Sequence, residues 1–178
     1  MLALKDVITA VLKNIIKILF FILIAQISYG QTAEQFKPYI KKWEGYSNTP
    51  IYRKNGEGVV GIGHNIAYDK NVKKYYSNYE LKRIYINDYV KSLDAVRKLI
   101  NDFDSLPMEA KLVCLSVEWT VGKTGFERFY EFRSNISERR YKAAATELYD
   151  SKWATQVSKK RLNDYINKLI NLQKRLDN

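Results

Sequence analysis

Residues Trp43 to His64 read W-E-G-Y-S-N-T-P-I-Y-R-K-N-G-E-G-V-V-G-I-G-H, and the reading of the whole chain turns on this stretch. A polar-apolar helical pattern ends at Glu44, directly before Gly45. Asn55-Gly56 then stands between the runs Ile51-Tyr52 and Val59-Val60, a strong hairpin signal because both turn residues tolerate positive φ. Gly61 and Gly63 let the returning backbone approach closely, and His64 closes the motif. A carboxyl at a helix end, pressed against such a hairpin, is placed as a general acid would be. Glu44 is therefore read as catalytic rather than as an ordinary exposed glutamate.

Outward from this stretch the pattern is helical. Thr32-x-x-Gln35 has the form of a capping box that opens a helix through Phe36, Tyr39, Ile40 and Trp43, with Pro38 as a kink or later start. Ser77-x-x-Glu80 caps a longer one, apolar at Leu81, Ile84, Tyr85, Tyr89, Leu93, Val96 and Ile100. Ser105-Leu-Pro107 starts the next, which Gly122 and Gly125 are expected to break. Short helices are predicted at about 126–134 and 138–150, the second capped by Ser137, and a last one from Ser158. The expected class is α+β, a small hairpin lobe (31–75) joined by a long helix to a larger helical lobe (76–178).

The first 30 residues differ from the rest. Lys5, Lys13 and Lys17 precede the apolar run Ile18–Ala25, and Ser28-Tyr29-Gly30 offers a small-x-small site, which is the form of a signal peptide. The rival is a retained membrane anchor. From Ile15 to Tyr29 a helix would rise only ~22 Å, short of a ~30 Å hydrocarbon core, which favours cleavage. Export to the periplasm or the cell exterior is the expectation, with membrane contact through this segment only.

Removing residues 1–30 takes away three lysines and one aspartate and leaves 27 basic and 18 acidic side chains, a formal charge of +9. That excess suits polyanions; export argues against nucleic acid and leaves anionic lipid or the carboxylate- and phosphate-bearing bacterial wall, beside a solvated basic surface with no partner. Cys114 is the only cysteine and lies in the apolar Leu112-Val-Cys-Leu115, a core position. With one Cys and one His, no metal constellation and no cofactor site is expected.

The motifs E-G at 44–45, I-Y at 51–52, Gly56 and G-I-G-H at 61–64 resemble those of the phage-type lysozymes, the endolysin family of glycoside hydrolases that includes the lysozyme of the T-even phages. V-G-x-T-G at 121–125, Ala143-Ala144, Ser151-Lys152-Trp153 and Lys160-Arg161-x-x-Asp164 continue the likeness over roughly residues 33–170. The resemblance implies a monomeric phage-lysozyme-like fold and cleavage of peptidoglycan between N-acetylmuramic acid and N-acetylglucosamine, with Glu44 as the acid. It also places sugar contacts at Asn65, Trp119, Phe132 and Glu147, and reads His64 as a structural hydrogen-bonding residue. Two catalytic positions depart from the pattern: the family aspartate falls on Lys54 (or Asn55), and the family threonine on Val59. Glu57 is the candidate replacement base. The alternatives are a single-acid lytic transglycosylase, in which the sugar's own hydroxyl attacks, and a non-catalytic peptidoglycan-binding protein.

Overall fold

The computed structural model describes residues 2–53 and 56–178, so Lys54 and Asn55 lie outside the described residues. The chain divides into an N-terminal unit, Met1–Lys37, and a second unit, Pro38–Asn178. One helix, α1 (Leu2–Glu44), forms the first unit and continues into the second. It runs without interruption past Thr32, so the expected capping box at Thr32-x-x-Gln35 does not open a helix, and Pro38 sits inside it. A mid-helix proline removes one backbone bond, which the turns on either side tolerate here. Among the described residues no helix is long and apolar enough to cross a membrane.

The second unit is α+β and mostly helical. A small antiparallel sheet of β1 (Ser47–Tyr52), β2 (Gly58–Gly61) and β3 (His64–Asn65), in that order, precedes five helices. The sequence pattern announces only the β1–β2 hairpin; the third strand is two residues long, too short to show an alternating pattern. The Arg53 N–H donates to Glu57 O (2.8 Å) and the Gly56 N–H to Arg53 O (2.9 Å), closing the turn where Gly56 takes φ +82°. Val60, Ile66, Tyr76 and Leu81 form a small apolar cluster beneath the sheet, with Ile84 packed on it.

The helices are α2 (Asn78–Leu99), α3 (Met108–Glu127), α4 (Tyr130–Ser137), α5 (Tyr141–Asp150) and α6 (Lys159–Leu176). Ser77 and Glu80 make the reciprocal capping box expected of them, and Ser158 caps α6 by accepting from the Arg161 N–H at 3.2 Å. Two further expectations are corrected. Ser137 does not cap α5: it ends α4, and its Oγ accepts from the Asn101 N–H instead. Gly125 does not break α3 either; the break is at Gly122 alone, whose φ of +69° and ψ of 170° no helical turn accommodates. The helical core is built from Phe126, Phe132, Ile136, Tyr141, Leu148, Trp153, Tyr165 and Leu169, and Cys114 is buried among such residues.

The cap at the start of α2 gives a simple check. Ser77→Ala should cost about 1 kcal/mol and lower Tm by about 2–4 °C in a thermal melt of the full chain, with no change in helix content at 25 °C.

Candidate active site

Glu44 closes α1, and Gly45 leaves the helix at φ +76°, so the carboxyl sits where the chain turns toward β1. Its side chain is 12% exposed. Oε1 accepts a hydrogen bond from Arg161 Nη1 at 2.7 Å, an ion pair between side chains 117 positions apart. The guanidinium is itself fixed: Nη2 donates to Thr120 Oγ1 (2.7 Å) and Nε to Tyr165 Oη (2.8 Å). Thr120 spends its own proton on Ser116 O at 2.8 Å, so its 3.5 Å approach to Glu44 is contact and not donation.

The glycine-rich return lies against this carboxyl. A Cβ at Gly63 would stand 3.4 Å from Glu44 Oε2, and the residue's φ of +77° already disfavours any side chain. Gly63 is thus the wall that lets backbone reach the acid. Trp119 Nε1 donates to Ile62 O at 3.1 Å, fastening the same turn to α3, while its ring packs on Tyr85. His64 Nδ1 lies 2.6 Å from Asp88 on α2 and Nε2 lies 3.4 Å from Asp69. The hydrogen bond to Asp88 raises the pKa of His64, with desolvation acting the other way.

The remaining candidates fall in three places. Glu57 and Asn65 come together: Asn65 Nδ2 donates to Glu57 Oε1 (2.7 Å), and Arg53 Nη1 donates to Glu57 Oε2 (3.0 Å). Both carboxylate oxygens are engaged. Val59 pairs with Ile51 and Asn65 in the sheet and offers no polar atom of its own side chain. Asn65 and Trp119 share a cavity of about 280 Å³ with Gly63 and His64. Phe132 and Glu147 instead line a second one of about 230 Å³ with Phe129, Tyr130 and Glu131. There Phe132 is 1% exposed, packed edge-on against Phe126 and Phe129, whereas Glu147 is exposed. Among the described residues no three His, Cys, Asp or Glu side chains gather as a metal set.

Three residues of the site are missed by sequence reasoning. Arg161 and Thr120 meet Glu44 only through the packing of α3 and α6 against the end of α1, and no local spacing announces that. The sequence hides Arg161, which is only 6% exposed although it stands in a basic run that reads as a solvated face. Glu118 lies in an apolar segment of α3, and its charge there is the only hint.

The histidine pair sets a pH dependence. A folded-state pKa above the unfolded ~6.5 means that the His64–Asp88 bond contributes its full stability below about pH 6.5 and loses it as pH rises through the elevated value. Tm measured against pH should show the native protein's advantage over Asp88→Asn greatest near about pH 5.5 and shrinking steadily on the alkaline side.

Against known proteins, no protein-family model matches the chain and no curated protein matches it.

Proposed function

We propose that this protein is an exported, monomeric, phage-lysozyme-like enzyme that breaks the glycan chain of bacterial peptidoglycan between N-acetylmuramic acid and N-acetylglucosamine. The observation that carries the reading is the placement of Glu44. It is a mostly buried carboxyl at a helix end, with Oε1 held by Arg161 and Oε2 beside the glycine wall at Gly63. In this reading the reacting form of Glu44 is the protonated one, with the proton on Oε2 and Oε1 still accepting from Arg161 as the carbonyl oxygen, so transfer to the glycosidic oxygen runs through Oε2. Preorganisation of this kind contributes to catalysis because the group needs no rearrangement when the bond breaks. In this enzyme the sheet and its loops form the small lobe, α2 the linking helix, and α3 to α6 the large lobe. The basic surface suits an anionic wall. No cofactor takes part.

One observation favours a second chemistry on the same site. Hydrolysis needs a base or nucleophile beside the acid, and Glu57 has both oxygens committed to Arg53 and Asn65. In the single-acid route Glu44 protonates the departing oxygen. A hydroxyl of the muramyl residue attacks its own anomeric carbon and returns its proton to Glu44. The C–O bond lost is replaced by an internal one, no water enters, and an anhydro end remains.

Clearing of a purified peptidoglycan suspension, followed by mass analysis of the fragments, tests both. Glu44→Gln should reduce clearing at least about 100-fold while leaving Tm within a few degrees. Fragments 18 Da lighter than hydrolysed ends would assign the transglycosylase route, the mass being that of one water. A native protein that binds wall yet releases no fragments would reduce the reading to a glycan-binding protein.

A further inference from the structure

The cavity of about 280 Å³ that Gly63 and Trp119 share holds a carboxyl for which neither route above has a use. Glu118 lies between Val117 and Trp119 on α3, and it is 6% exposed. Across the α2–α3 contact it accepts a hydrogen bond from Ser92 Oγ. Among the described residues no cation pairs with it. Burial raises its pKa, and the Ser92 bond opposes the rise only in part. A buried carboxyl without a countercharge is pushed toward its neutral form, which offers both an O–H donor and a carbonyl acceptor.

An apolar pair of the same shape would join α2 to α3 at no cost in polar desolvation, since replacing both partners of a buried hydrogen bond is often neutral or stabilising. A Glu–Ser pair on the wall of a cavity points to something that enters the cavity. Its neighbours are already satisfied or peripheral. Asp88 is answered by His64, Asn65 is held by Glu57 and the Ala67 N–H, and Lys91 is exposed. A cationic guest would meet Lys91, and an anionic one would meet Asp88. A neutral polar group meets neither penalty. The volume lies just below the ~300–1,000 Å³ of sites for drug-sized ligands, which suits one ring of a chain.

We propose that Glu118, positioned by Ser92, is a specificity-determining residue: its carboxyl hydrogen-bonds a hydroxyl or acetamido group of an amino sugar seated in this cavity, next to the bond that Glu44 acts on. Gly63 links the two, because it lines the cavity and also packs against the Glu44 carboxyl. The indole of Trp119, tied by Nε1 to Ile62 O, supplies the flat wall on which a sugar face rests. This inference rests on the glycan reading of the preceding subsection.

The experiment is calorimetric titration of the full chain with chitotetraose, the N-acetylglucosamine tetramer, with circular dichroism as the check on folding. Glu118→Val combined with Ser92→Ala removes the polar pair without stranding either partner, and should weaken binding about tenfold or more. Glu118→Gln keeps a donor and an acceptor and should weaken it less than about threefold. Should the double variant unfold, Ser92→Ala alone carries the test, with a loss of about threefold expected. Binding by the folded double variant within about twofold of native overturns the inference, as does an equal loss in Glu118→Gln. If that happens while Glu44→Gln still abolishes wall clearing, the inference alone falls. Absence of both glycan binding and wall clearing in the native protein would overturn the underlying reading as well.

Discussion

The ion pair between Glu44 and Arg161 is the constraint to which the rest of the second unit answers. Two side chains 12% and 7% exposed cannot carry opposite charges cheaply unless further hydrogen bonds hold the pair in place. Arg161 meets that condition: it donates to Glu44, Thr120 and Tyr165. Its guanidinium also lies over the rings of Trp153 (5.8 Å) and Tyr165 (5.6 Å). The end of α1, the middle of α3 and the start of α6 therefore meet at one charged point. Displacing any of them would leave a buried charge or hydroxyl unpaired.

A second set of ties holds the hairpin over that point. Ile62 is fastened to α3 by the Trp119 indole, and His64 to α2 by Asp88. The Tyr76 N–H reaches back to Asn48 O at 2.8 Å, anchoring β1 to the segment that leads into α2. A short sheet of this kind is marginal by itself. Polar ties on both sides of Gly63, together with the small apolar cluster under Val60, brace it from α2 and α3. In the proposed function such bracing matters, because the position of the Glu44 carboxyl would be set before any sugar arrives.

The same arrangement explains why the site is lopsided. One carboxyl is locked by a cation and a glycine wall, whereas Glu57, the other carboxyl of the hairpin, is spent on Arg53 and Asn65. Polar capacity beside the wall lies instead in Glu118 and Ser92, on helices far from the hairpin in sequence. In the proposed reading, recognition by Glu118 and Ser92 and proton transfer by Glu44 come from different helices, with Gly63 beside both.

Local chemistry made much of this legible in the sequence. Ser77 with Glu80, Ser158 before α6, the glycine turn at Gly56 and the helix end at Glu44 before Gly45 each act within one turn of chain, so residue type and spacing are enough to announce them. Where two local signals competed, sequence chose wrongly. Thr32 looked like a helix start, but the helix passes straight through, and Ser137 ended one helix instead of opening the next. What only the tertiary structure decided are the contacts of long reach: Arg161 on Glu44, Trp119 on Ile62, His64 on Asp88, Ser92 on Glu118. Spacing along the chain carries no information about a pairing made 117 residues away. Such a pairing is fixed by which helix faces the core leaves in contact once the apolar side chains are buried.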